Sequence, residues 1–387
     1  MVASFEHGPQ SSRNFRRARL KTAGMSEATA VANRSVTISS IIAEELRPLA
    51  RRIDAEGIYP TNILRRLGEA GAFAHHTQSH GTGPAGVVVA IEAMADIGTA
   101  CLSTAFCTWC QDALVWYLDR SDNPAPRARY LSAAAGGRRL GGTGLSNPMK
   151  FFSGIEPLVL KGVRVAGGYR VTGRLPFVSN LDDDHLFAGV FALEDAPERR
   201  IMTLFRAGHD GVSLARNAHF IALEGTGTYS VLIRNAFVPD DYVLSEDASR
   251  FVPRIRKGFV LLQTGMGFGI ARGAAALMRS DVLGRRQAAH LPLGPDAIDE
   301  RAADLEERVK QHVRDVEEPD RESFLNVLRT RLDVSWLALE AAQAAMIQFG
   351  ARGYLIGSEP ARRLREAQFV AIVTPSVKHI LTELAKG

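Results

Sequence analysis

Side chains able to do chemistry gather in a few short stretches of this 387-residue sequence. Three cysteines, Cys101, Cys107 and Cys110, lie close together, and "CTWC" has the spacing of redox and zinc pairs. Neither chemistry has its context, because no second cysteine pair follows and no strand precedes. Residues three apart share one face of a helix, so the spacing points to buried helical thiols in a reducing compartment. His75, His76 and His80 sit in a glycine-containing loop with no carboxylate or cysteine at ligand spacing, which argues against a metal. A further candidate is Thr374 in "REAQFVAIVTPSVKHI". A hydroxyl binds and orients, but a threonine is no general base at neutral pH.

The elements that must position these groups follow from periodicity. Ile42, Leu46, Leu49 and Ile53 recur at helical steps, a second helix begins at Pro60 and Thr61, and apolar helical stretches continue through "CLSTAFCTWCQDALVWYL". Near Gly141 the period changes. "LVLKGVRVAGGYRVTGRLPFVSN" alternates Val163, Val165, Tyr169 and Val171 about a Gly167-Gly168 turn, and "HLFAGVFAL", "RRIMTLFR" and "YSVLIRNAFV" follow as short strands. After Val252 and Pro253 the helical period returns in "GFVLLQTGMGFGIARGAAALM", whose Gly265, Gly267 and Gly269 suit close helix packing or cofactor approach. Ala302, Leu305, Val309 and Val313 mark a further helix, and Leu325, Leu328, Leu332, Trp336 and Leu339 another. The acidic run "EEPDRE" between them reads as a solvated turn. The expected organisation is a disordered tail over 1–24, a helical domain over 25–140, a small antiparallel β-barrel or sandwich over 141–245 and a helical bundle over 246–387.

Composition is that of a globular protein, with 46% apolar and 23% charged residues. The net charge of +5 owes much to "RNFRRARLK" near the start, and no basic stripe interleaved with aromatics appears elsewhere, so nucleic acid is not an expected partner. No apolar run is expected to span a membrane and no apolar signal core follows the basic leader, which makes the cytoplasm the default location. The leader before Met25 reads as a tail or as residues upstream of a true start.

Taken in order, the local motifs resemble the acyl-CoA dehydrogenase flavoprotein superfamily. "GLSNP" is similar to the family's Leu-Thr-Glu-Pro segment, which would bring the Leu145 backbone and the Ser146 hydroxyl to the flavin pyrimidine. "GRLPFVSN" is similar to the segment ending Trp-Ile-Ser-Asn, with Phe177 in place of the flavin-packing Trp, Val178 following it, and Ser179 supplying a hydroxyl near N5. "VLIRNAFVPDDYVL" resembles the family's strand exit at Val238-Pro239, "IQFGARGYL" with Gly350 its glycine-rich turn, and "EPARRLREA" its basic helix. The resemblance covers roughly residues 40 to 380. It implies an N-terminal helical domain, a central β-domain and a C-terminal four-helix bundle, with FAD as cofactor, an acyl thioester or related small molecule as substrate, and a homotetramer built as a dimer of dimers. Cofactor contacts would extend to Arg285 or Arg286, Gly350 and Ser376. Departures accompany it: Phe151, Phe152 and Ser153 replace Gly-Ser-Asp, and Ile347 stands at the position of a cofactor-contacting glutamine.

The main departure is catalytic. The family's glutamate, which takes the acyl α-proton while a hydride leaves for the flavin, aligns with Thr374, and its alternative address on the helix opening the bundle falls in Ala248–Ser280, which contains no Asp or Glu. Three readings stay open: a dehydrogenase whose base is another residue such as Glu366, His379 or Asp184; a flavin monooxygenase on the same fold, where the cofactor supplies the chemistry; and a catalytically degenerate subunit that binds flavin or acyl ligand in a hetero-oligomer.

Overall fold

The computed structural model describes residues 36–386 except Thr82, Asp210 and the side chain of Arg285. The expected tail over 1–24 and the start of the first helical domain lie outside the described residues. The first helix begins four residues before Ile42, where the apolar period starts, because Thr37 and Ser40 form a reciprocal capping box. It runs as α1 (Ile38–Ile41) through a π-helical turn (Ile42–Leu46) into α2 (Arg47–Glu56). After it come α3 (Thr61–Glu69), α4 (Pro84–Ala100), α5 (Leu102–Asp119) and α6 (Pro124–Ala135).

The chain then enters the β-domain as β1 (Gly141–Thr143), α7 (Ser146–Phe152), β2 (Lys161–Val165), β3 (Gly168–Val178), β4 (Leu186–Leu193), β5 (Arg200–Arg206), β6 (Val212–Ala215), β7 (Tyr229–Pro239) and β8 (Val243–Ser245). The order across the sheet is β6-β7-β3-β2-β4-β5-β8, with β1 on β4. Pairing is antiparallel as expected except for β1–β4 and β2–β4, which run parallel. The hairpin turn is Ala166-Gly167, one residue earlier than read, with Gly167 at φ 77°. The alternation also misleads on β2. Val163 faces outward and Gly162 inward, because the ring of Phe191 occupies the space a side chain at 162 would need.

The bundle contains α8 (Ala248–Leu262), α9 (Thr264–Ser280), α10 (Arg285–Ala288), α11 (Pro295–His312), α12 (Arg321–Phe349), α13 (Glu359–Ile372) and α14 (Val377–Leu384). One hydrophobic core joins the N-terminal helices to this bundle, and the sheet has a second core of its own. The glycines of α9 resolve in favour of helix packing: a Cβ at Gly269 would lie 2.7 Å from the Cα of Gly98, and one at Gly265 would lie 2.7 Å from the carbonyl oxygen of Ile91, both on α4. Contrary to the expectation of no span-length apolar run, Ala248–Ser280 has the length and apolarity to cross a membrane, but it is mostly buried in the bundle as α8 and α9. The acidic turn is not simply solvated, since Glu317 pairs with the buried Arg120 at 2.7 Å. On α12, Val334, Leu337 and Ala341 continue the buried face, whereas Trp336 points outward.

Because the α4–α9 approach is set by backbone rather than by flexible side chains, Gly269→Ala is expected to cost about 1–3 kcal/mol through overpacking. A matching fall in the midpoint of urea unfolding, at unchanged slope, is the measurement; an unchanged midpoint would show that the helices can part without strain.

Candidate active site

Where β-domain and helices meet, a cavity of about 280 Å³ collects residues distant in sequence: Ser146 at the start of α7, Phe177 and Ser179 at the end of β3, and Thr374 after α13. The remaining wall is largely aromatic. Phe106 and Trp109 stack on α5 at 5.7 Å, Phe369 meets Phe106 edge-on at 4.5 Å, and Phe259 meets Trp109 at 4.9 Å. Trp109 is pinned because its indole N–H donates to the carbonyl of Phe259 at 3.2 Å. At the open side Phe177 is 56% exposed and meets Phe220 edge-on. The loop carrying Phe220 is tied down by Arg365, which donates to the carbonyl of Ile221 at 2.6 Å and pairs with Asp54.

The "GLSNP" segment is the start of a helix rather than a turn, and Phe151 and Phe152 close that helix. Its Ser146 Oγ lies 2.8 Å from Thr374 Oγ1, so two predicted site hydroxyls touch directly. The position of Thr374 is set from behind. Its carbonyl accepts from Gln263 Nε2 at 2.8 Å, Gln263 Oε1 accepts from Arg331 Nε at 3.0 Å, and Arg331 also donates to the carbonyl of Val370 at 2.6 Å. A second set of hydroxyls lines the β-domain side. Ser179 Oγ lies 2.7 Å from Thr228 Oγ1, which lies 2.8 Å from Thr226 Oγ1, and Thr226 donates to the carbonyl of Leu223 at 2.7 Å. Thr226, Thr228 and Gln263 escaped the sequence reading; a T-x-T on a strand entrance and a Gln within an apolar helix are weak signals by themselves.

Val178 points into the β-domain core, and its neighbour Asn180 takes a left-handed conformation to hydrogen-bond Tyr59 at 2.7 Å and the carbonyl of Gly141 at 2.6 Å. Leu145 is fully buried beneath Ser146. A second cavity of about 450 Å³, sharing Ser146 and Phe177 with the first, continues past Val178 and Lys150. Gly350 ends α12 and Ser376 caps α14 by accepting the amide of His379; neither lines the two cavities. Arg285 begins α10, with its side chain outside the described residues.

None of the candidate bases reaches the cavity. Glu366 is buried against Arg362 at 2.8 Å, and His379 bonds Ser153 at 2.9 Å on the far side of Pro375. Asp184 sits between Arg139 and Arg206; burial works against its charge, but the hydrogen bonds from these arginines hold it at about 2. Among the described lining residues the one titratable group is Cys110, whose thiol burial pushes well above its usual range. Cys101 and Cys107 are buried thiols as expected. His76 does meet a carboxylate, Asp112 at 3.1 Å, brought from a different helix. Among the described residues, no group of three ligand-type side chains is placed to hold a metal.

Residues 35–138 match the acyl-CoA dehydrogenase N-terminal domain family. The chain is 24% identical over 238 residues to benzylmalonyl-CoA dehydrogenase of Aromatoleum aromaticum, a match covering 60% of this chain and 62% of that protein. Its fold is that of butyryl-CoA dehydrogenase from Megasphaera elsdenii, with a TM-score of 0.74 at 17% identity over 90% of this chain and 95% of that one. KijD3, solved with FMN and dTDP-3-amino-2,3,6-trideoxy-4-keto-3-methyl-D-glucose, superposes with a TM-score of 0.72 at 19% identity over 90% and 91%. The family match thus covers residues 35–138, and over the rest of the chain the likeness is one of fold.

Breaking the tie behind Thr374 tests its structural role. Gln263→Leu leaves the Thr374 carbonyl and Arg331 Nε without partners, which is expected to cost about 1–3 kcal/mol. Faster amide exchange confined to Ile372–Val377 would accompany it; unchanged exchange there would mean that the cavity wall is held by other contacts.

Proposed function

We propose that this chain is a flavin-dependent oxidoreductase that takes an uncharged apolar or aromatic group into the 280 Å³ cavity and uses no protein carboxylate there as a base. The observation that carries this reading is the convergence of Ser146, Phe177, Ser179 and Thr374 on one cavity whose described lining has neither carboxylate nor imidazole. The lining fits a flavin ring. Two hydroxyls flank a largely exposed phenyl ring that a flat heterocycle would cover, and the second cavity gives its tail a continuous path. FAD would be held by Ser146, Phe177, Ser179 and the backbone at Leu145 and Val178, with Arg285, Gly350 and Ser376 as further contacts within an assembly. When bound, it supplies the electron-accepting or oxygen-activating chemistry that these side chains lack.

The chain's own contribution is positional. Ser146 is held by Thr374, which the Gln263–Arg331 pair holds in turn. The aromatic wall excludes water and offers faces to a flat or short apolar group. Removing an α-proton from an acyl thioester needs a base within hydrogen-bond reach; no described carboxylate lines the 280 Å³ cavity, and Glu156 on the second cavity is engaged by Asn147 and Lys150. This favours oxygen as co-substrate over simple dehydrogenation. The similarity to an acyl-CoA dehydrogenase supports a second reading, an acyl thioester whose proton leaves to water or to the substrate itself.

Recombinant protein is expected to be yellow and to release FAD on denaturation; colourless protein that stays apo with excess flavin would overturn the proposal. Mixed anaerobically with common saturated acyl-CoAs, it should bleach at least about 10²-fold more slowly than a base-containing relative, and Thr374→Glu should raise that rate. Rapid bleaching by the unaltered protein would restore the dehydrogenase reading, whereas oxygen consumption coupled to substrate loss would support the favoured one.

A homotetramer is part of the proposal. The small residues of α9 are used within the chain, but Val282, Leu283, Ile347, Tyr354, Leu355 and Ile356 form an exposed apolar end beside Gly350. Light scattering at micromolar concentration is expected to give about four times the 42.0 kDa chain mass. A monomer with full flavin occupancy would remove the assembly from the site.

A further inference from the structure

The three hydroxyls on the β-domain side form a directed chain, and its direction follows from its fixed end. Thr226 is fully buried, and its only acceptor beyond the chain is the carbonyl of Leu223, to which it donates at 2.7 Å. Its single proton is thereby committed, so in the 2.8 Å contact with Thr228 the proton is that of Thr228. The same count applied once more makes Ser179 the donor to Thr228 across 2.7 Å. Ser179 Oγ then faces the cavity with lone pairs alone. Reversing the chain would leave the buried Leu223 carbonyl without this partner, a cost of order 1–3 kcal/mol.

We infer that Thr226 and Thr228 are positioning residues that fix Ser179 as a hydrogen-bond acceptor and thereby raise the reduction potential of a flavin bound at this cavity. The inference rests on the flavin reading given above. By the family resemblance flavin N5 would lie beside Ser179; oxidised N5 is an acceptor, which a second acceptor repels. Two electrons and one proton, delivered by substrate or by a chemical reductant, convert N5 to N–H, a donor that Ser179 can accept. The chain therefore favours the reduced form, and a hydroxyl free to rotate would favour neither.

The test is the midpoint potential of the bound flavin, measured by equilibration with a reference dye during slow enzymatic reduction. Thr228→Val removes the acceptor of the Ser179 proton, and Ser179 can then donate to oxidised N5. The potential is expected to fall by about 30 mV, a tenfold change in the reduced-to-oxidised ratio of a two-electron couple. Thr226→Val is expected to act in the same direction, Thr226→Ser to restore the unaltered potential, and neither valine variant to shift it further in a Ser179→Ala background. These variants keep the volume of the side chain nearly constant, and either valine substitution alone decides the matter if the other fails to fold. Potentials that stay unchanged in the valine variants while Ser179→Ala moves its own would overturn the hydroxyl chain and leave the flavin reading standing. If Ser179→Ala also leaves potential and absorbance unchanged, or the protein retains no flavin, both the chain and the cavity assignment fail.

Discussion

The guanidinium of Arg331 is the interaction on which the cavity's shape depends. It is fully buried, and burial lowers its pKa to about 10, so it remains charged at neutral pH. A buried charge must be met by polar partners, and this one recruits them from several helices: Gln263 at the junction of α8 and α9, Ser335 one turn along α12, and the carbonyl of Val370 near the end of α13. Gln263 passes the constraint to the carbonyl of Thr374. A single cation thus converts four separate segments of chain into one wall, and the Ser146–Thr374 contact carries that wall across to the β-domain.

Given this wall, the two sides of the cavity differ in emphasis. The helices contribute the rings and sulfur of Phe106, Trp109, Cys110, Phe259 and Phe369 with the hydroxyl of Thr374, and the β-domain contributes most of the hydroxyls beside Phe177 and Phe220. Charged groups are plentiful nearby but are consumed in structure. Arg362 and Glu366 neutralise each other, Arg363 holds the carbonyl of Gly98 at 3.1 Å, and Arg365 holds the loop at the mouth. The basic helix serves packing between the bundle and the N-terminal helices, and its charges stop short of the cavity.

Much of this was legible beforehand, and the failures share a cause. Helical and strand periods located most of the long elements, though not α6 or α13, and the family resemblance brought together Ser146, Phe177, Ser179 and Thr374, which line one cavity. Periodicity did not reveal that Val163 faces outward, because the deciding object is the ring of Phe191 on the paired strand β4. Nor did it reveal Gln263, whose polarity within an apolar helix gains meaning only when Thr374 and Arg331 arrive from elsewhere in the fold. Local sequence specifies the donor; long-range topology specifies its partner. The same logic removed Glu366, His379 and Asp184 as bases, since each is chemically apt and spatially committed to another contact.

The glycine seam between α4 and α9 has a consequence for traffic. Backbones that touch at Gly98 and Gly269, within a core shared by both helical regions, leave no hinge between those regions. The sheet has a core of its own on one face, and on the other Leu186, Ala188, Val190, Met202 and Leu204 pack into the helical core. The lining side chains that solvent reaches most are Phe177, Phe220 and Ile372. The doorway therefore opens between the sheet and the end of α13, and whatever enters must pass the paired rings of Phe177 and Phe220 on one side and Ile372 on the other.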